Sequence, residues 1–242
     1  MTDSTLLCLP GNMCDASLWA DCLPSDTGLR TVKPVPPGTS ISDMAAWCLS
    51  AYEGPLLPVG FSMGGIVALE CLRQAPKRIT GLVLIATNPG ADRPDRLPVR
   101  LRQQKAVIRG GLERVVTDEL MPNYFAEANA GRHELAKHVL EMATSVGPEA
   151  FVSQSEALRQ RDDLWPTLDT FDKPVLILCG SEDRVCPPDL HYRIADASED
   201  STLQIVAEAG HMLPIEQPAA VRSHIGDWLL RNGFTPKEDV TP

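Results

Sequence analysis

Hydrophobic positions fall into two kinds of run along this chain. Short unbroken runs, the mark of strands buried on both faces of a sheet, occur at residues 6–9, 56–59, 81–86 and 174–179. A weaker strand candidate lies at 31–35, stopped by Pro36 and Pro37, and a further strand lies at 202–206. Between them, apolar residues recur at helical spacing. Ser40 or Ser42 caps a helix carrying Met44, Ala45, Trp47, Cys48 and Leu49. Helices are also predicted over 63–74, 189–195 and 218–230, the last with Val221, Ile225, Trp228 and Leu229 along one stripe. The tail from Arg231 to Pro242 is polar and is expected to fray. Alternating strands and helices imply crossover connections and an α/β fold with a mostly parallel sheet.

Residues 87–173 break the pattern, because no good strand appears there. A plain crossover needs only about a dozen residues, and a structureless loop of that length is rare in a compact domain. Leu112, Val115, Val116 and Leu120 keep helical spacing, as do Leu135, Val139, Met142 and Val146. Further helices fit 97–109 and 149–160. The domain reading is therefore a core formed by 1–86 and 174–242, with 87–173 inserted as a helical cap of roughly four short helices. Pro58 conflicts with a central strand, since proline lacks a ladder donor. Either that strand starts late or the Pro58 amide position faces a gap.

Composition narrows the class. In 242 residues, 43% are hydrophobic and the formal charge is −10, which fits one domain and disfavours nucleic acid as a partner. The seven cysteines include no CxxC pair, so reduced thiols and a cytoplasmic location are expected. No metal is expected either, as zinc wants closely spaced thiolates or imidazoles. The opening residues lack the charged and apolar segments of a signal peptide. No apolar run reaches the roughly 18 residues that would span a membrane.

The chemistry begins just after Pro58. Gly60-Phe61-Ser62-Met63-Gly64 follows a strand and opens a helix, the context in which GxSxG forms a nucleophile elbow. The bare pattern is common by chance, and its partners are what give it weight. Ser62 is the candidate nucleophile. The carboxylates of Glu182 and Asp183 follow the 174–179 strand, and Asp183 is preferred as the orienting acid. His211 follows the next strand and is the candidate base. His133, His138, His191 and His224 read as surface or packing residues. An oxyanion hole needs two donors. The Met63 amide is one, and the Asn12 amide, with Met13 as alternative, is the other. Phe61, Met63, Met212 and Leu213 are candidates for an apolar pocket, although core packing competes for Met212 and Leu213.

The segments LLCLPGNM, PVGFSMGG, GLVLIATNP, PVLILCGSEDRVCPP and AGHMLPIEQP resemble the α/β-hydrolase superfamily, in its esterase and lipase-like branch with a helical cap. The resemblance covers nearly the whole chain. It implies an acyl-enzyme mechanism on Ser62, Asp183 and His211, with amides at Asn12 and Met63. It departs in carrying Pro10-Gly11 where many members have His-Gly. It also lacks their opening strand hairpin, so a sheet of about six strands is expected.

The leading functional reading is hydrolysis of a small or medium carboxylic ester, a mechanism that calls on no cofactor. Thioesterase, lactonase and carbon–carbon hydrolase chemistry, or a lyase resembling the menaquinone-pathway member, stay open. So does a non-catalytic ligand-binding protein on the same fold. Arg93, Arg96, Arg100, Arg102 and Arg109 near the cap entrance bear on this choice. They are either a solvated helix face or a site for an acidic substrate. A homodimer is left open, since no interface is legible.

Overall fold

The computed structural model describes residues 4–234, so the polar tail after residue 234 lies outside the described residues. Six strands form one parallel sheet in the order β2-β1-β3-β4-β5-β6. They are β1 (Thr5–Leu9), β2 (Arg30–Val32), β3 (Leu56–Phe61), β4 (Leu82–Ile85), β5 (Val175–Gly180) and β6 (Ser201–Val206). The longer helices are α1 (Ile41–Ala51), α2 (Met63–Gln74), α3 (Leu97–Ile108), α4 (His133–Val146), α5 (Pro148–Arg159), α6 (Pro188–Asp196) and α7 (Pro218–Arg231). Ser40 caps α1, its hydroxyl accepting the Asp43 amide at 3.0 Å.

Strand alternation divides the core into two layers. Leu7, Leu9, Leu82, Leu84, Val175 and Ile177 point to the face covered by α1 and α2. Their neighbours Leu6, Cys8, Val83, Ile85, Leu176 and Leu178 point to the face packed against α7. Each fully buried Leu, Ile or Val contributes roughly 1.5–3 kcal/mol. The second layer continues into the cap without a break. Val107, Val115, Val116, Val139 and Met142 belong to the same cluster as Val83 and Trp228.

Two sequence expectations are revised. The strand predicted at 31–35 ends at Val32, because Pro34 cannot continue the ladder. The conflict at Pro58 resolves as the second alternative. Within β3, Leu56 accepts the Thr80 amide and the Ser62 amide beyond reaches Ile85. Even-numbered residues therefore face β4. Pairing with β4 starts only at Val59 opposite Val83, so the missing donor of Pro58 falls where that ladder has not begun.

The cap holds α3, α4 and α5, with α3 packed on α5. Between α3 and α4, a single turn at Leu112–Arg114 runs into a π-helix at Val115–Leu120. All seven cysteines are buried and unpaired. Burial pushes the thiols of Cys14 and Cys22 up to about 12, which keeps them protonated and unreactive. Among the described residues, no helix is long and apolar enough to cross a membrane.

Candidate active site

Ser62 stands between the last residue of β3 and the first of α2, at φ 51° and ψ −115°. This conformation is unfavourable for a side-chain-bearing residue, and the surroundings hold it in place. The Ser62 amide donates to the Ile85 carbonyl at 2.8 Å. Its carbonyl accepts the Thr87 hydroxyl at 2.7 Å and the Gly65 amide at 3.0 Å. The turn closes only because Gly60 and Gly64 lack side chains. A Cβ on Gly60 would stand 2.5 Å from the Gly64 carbonyl oxygen, and one on Gly64 would collide with the Leu9 carbonyl. Met13, Ser62, Ala86 and Glu208 are the non-glycine residues with positive φ among those described. All four lie past the C-terminal ends of strands, at the edge of the sheet where Ser62 stands. Strain of about 1–3 kcal/mol per residue collected in this way is typical of functional sites.

At that edge three side chains meet. The Ser62 hydroxyl lies 3.0 Å from His211 Nε2. His211 Nδ1 lies 2.9 Å from Asp183 Oδ2 and 3.1 Å from Oδ1. Asp183 Oδ1 also accepts the amides of Val185 and Cys186, each at 2.8 Å. A carboxylate anchored this way accepts the Nδ1 proton, which leaves the Nε2 lone pair facing the serine. Asp183 and His211 are both 3% exposed. The rings of Phe61 and Tyr124 flank the imidazole at 5.3 and 5.8 Å between centroids. Glu182 turns away, accepting the Glu127 amide at 2.9 Å.

Several supporting groups were not singled out in the sequence. Gln154, on α5 of the cap, accepts the Met13 amide at 2.8 Å and the Asn12 side-chain amide at 3.0 Å. That occupies the Met13 donor and leaves the backbone amides of Asn12 and Met63 beside the cleft. Glu216 is buried and accepts the Gly210 amide at 2.9 Å, the Ala126 amide at 2.8 Å and Asn129 Nδ2 at 3.0 Å. It thereby fixes the loop carrying His211, while burial pushes its carboxyl above the ordinary value. His191, read as a packing residue, is fully buried behind the serine. Its Nε2 accepts the Thr87 amide at 3.2 Å and its Nδ1 faces the Pro187 carbonyl at 3.2 Å. This arrangement needs a neutral ring, and burial lowers the imidazole below its ordinary value.

A cleft of about 570 Å³ opens over these groups, lined by Asn12, Ser62, Met63, Tyr124 and His211 together with cap residues. Phe61, Met212 and Leu213, expected to line an apolar pocket, do not reach it. They are 1%, 1% and 0% exposed and belong to the core. Phe61 shares the α7 side of β3 with Leu57 and Val59, while Met212 and Leu213 turn inward after His211. The cleft lining is mixed instead, with Met63, Ile66, Val99, Leu120 and Leu158 beside a set of arginines. Arg93, Arg96, Arg100 and Arg102 line it, Arg109 does not, and Arg161 and Arg184 join them. Among the described residues, no cluster of three His, Cys, Asp or Glu side chains is arranged to hold a metal.

The chain is similar to known proteins in sequence and in fold. A protein from Bacillus subtilis described as a putative 2-succinyl-6-hydroxy-2,4-cyclohexadiene-1-carboxylate synthase is 25% identical over 71% of this chain and 64% of its own length. A pimeloyl-[acyl-carrier protein] methyl ester esterase from Xanthomonas oryzae is 30% identical over 67% of this chain and 66% of its own. The matches thus span just under two thirds of these curated relatives. A thermophilic esterase from Thermogutta terrifontis superposes with a TM-score of 0.82 at 24% identity, covering 95% of this chain and 90% of that one. The model of the alpha/beta hydrolase family matches residues 6–224. With that match spanning most of its length, the chain belongs to the alpha/beta hydrolase family.

Proposed function

We propose that this protein is a serine hydrolase that cleaves a small or medium carboxylic ester through an acyl-enzyme intermediate. One observation carries the reading. Ser62, His211 and Asp183 form an unbroken hydrogen-bonded chain, with contacts of 3.0 and 2.9 Å, at the strained entry to α2. His211 takes the hydroxyl proton as Ser62 Oγ attacks the ester carbonyl. The tetrahedral oxyanion rests on the Asn12 and Met63 amides, aided by the positive end of α2. The proton then passes to the departing alcohol. Water, deprotonated by the same imidazole, releases the acid and restores the serine. Asp183 holds the ring in its productive tautomer and stabilises the imidazolium.

The test is covalent. A fluorophosphonate probe is expected to label Ser62 in the folded protein, and Ser62→Ala to abolish both the labelling and the hydrolysis of 4-nitrophenyl esters. A folded protein that takes up no probe would remove Ser62 as a nucleophile.

A further inference from the structure

The cleft holds more positive charge than ester cleavage requires, in a protein whose formal charge is −10. Six arginines line it, against the carboxylates of Asp92 and Glu119. Three of the six are matched: Arg93 with Asp95, Arg102 with Glu119, and Arg100 with Asp92. The Arg100 pair is bidentate, at 2.6 and 3.0 Å.

Asp92 then has to serve a second guanidinium. Arg161 Nη1 lies 3.4 Å from its Oδ1, and both side chains are 7% exposed. The Nε of Arg161 is anchored on the Gly90 carbonyl at 2.8 Å. No hydrogen bond among the described residues uses its Nη2. Burial lowers the Arg161 guanidinium below its ordinary value, but arginine stays charged in proteins. Arg96 and Arg184 form no ion pair among the described residues and stand exposed at the cleft. Two buried cations on one carboxylate leave a charge without its counter-ion, an arrangement that a protein sustains poorly unless a ligand completes it.

We propose that the substrate itself carries a carboxylate, received by Arg161 with Arg96 and Arg184. This rests on the ester hydrolase reading and names its substrate class: an ester with a free acid group on its acyl chain. The guanidinium fork matches a carboxylate in the plane. One unbalanced buried cation calls for one negative charge. The basic cleft of an acidic protein concentrates the field on anions approaching Ser62. A neutral ester of the same length fills the same space and leaves the charge unmatched.

The experiment compares 4-nitrophenyl hydrogen adipate with 4-nitrophenyl hexanoate in the whole protein, in Arg161→Gln, and in Arg96→Gln/Arg184→Gln, whose two sites are exposed. The quantity read is the ratio of kcat/KM for the two esters, which cancels any loss of folded enzyme. The wild type is expected to favour the anionic ester by about tenfold, the equivalent of about 1.4 kcal/mol. The ratio should fall toward one in Arg161→Gln and severalfold in the double variant, through KM rather than kcat. A wild-type ratio at or below one overturns the proposal, as does a preference that survives both sets of substitutions. If neither ester is cleaved, the hydrolase reading fails separately. Calorimetric titration with adipate then decides the anion site: binding lost in Arg161→Gln upholds it, and no binding to the wild type removes it.

Discussion

Ser62, Asp183 and His211 each follow within a few residues of a strand of the parallel sheet, whereas Gln154, Arg100 and Arg161 face them from cap helices and a connection. The first set inherits its geometry from the sheet. Main-chain bonds such as Ser62 to Ile85 at 2.8 Å and Glu182 to Ala209 at 2.9 Å tie the strand ends together. The second set is held by side chains: an amide on a loop, and two guanidiniums on one aspartate. The difference suits the two tasks. Proton transfer and attack tolerate little misplacement, while recognition of a charged group tolerates some adjustment. On the proposed function the strand ends set the chemistry and the cap sets the choice of ligand, except where Gln154 crosses from one to the other.

Substitutions can sharpen or break that contrast. The largest effect is expected from Asp183→Asn, which keeps the shape but favours the wrong tautomer of His211. It should lower kcat for a 4-nitrophenyl ester by about 10⁴-fold, with the circular dichroism spectrum unchanged. A loss below tenfold would show that the strand ends do not set the chemistry through this pair. Next, Glu216→Ala removes the acceptor of three buried donors and should cost about 3 kcal/mol in a urea melt. A cost under about 0.5 kcal/mol would mean that the His211 loop holds its place without it.

Gln154→Ala tests the crossing. Freed from the cap, the oxyanion loop should lose alignment, reducing kcat by about ten- to a hundredfold with KM little changed. Gln154→Glu, which keeps an acceptor for both donors, should recover most of that loss. An effect on KM alone would return Gln154 to the recognition side of the comparison. The smallest effect concerns pH. Burial keeps His191 neutral and below its ordinary value of 6.5, so the unfolded chain takes up the proton first as pH falls. Its contribution to stability is complete above about pH 6.5 and declines below it toward the folded value, by at most about 1.4 kcal/mol per pH unit. Unfolding free energies measured between pH 7 and 5 should decline less steeply in His191→Gln. Equal slopes would contradict the neutral ring behind Thr87.

The same contrast explains what the chain disclosed before its structure. The strand cores, the limits of α2 and the elbow at Ser62 follow from local rules of period, capping and close approach. So does the order of Asp183 and His211 after successive strands. Gln154 lies far along the chain from Met13, and nothing in its neighbourhood marks it as an acceptor for that amide. Arg161 acquires its role only because Asp92 is buried between it and Arg100, a fact that no spacing encodes. Phe61, Met212 and Leu213 were misplaced for a related reason. They adjoin the candidate catalytic residues in sequence, but backbone alternation and the turn after His211 send them inward. Glu216, five positions after His211, is the missed residue with a local signal: a carboxylate in an otherwise apolar turn.

Caps are attractive units for recombination, since exchanging one ought to change specificity while leaving the reactive apparatus untouched. The bond from Gln154 to the Met13 amide sets a condition on such grafts here. A chimera that replaces residues 87–173 discards the acceptor that holds half of the proposed oxyanion site, along with Val115, Val116 and Met142 from the shared core. A donor cap therefore has to bring a glutamine, or another acceptor of equal reach, at the same helical position. Without it, the hybrid inherits a new preference on a weakened engine.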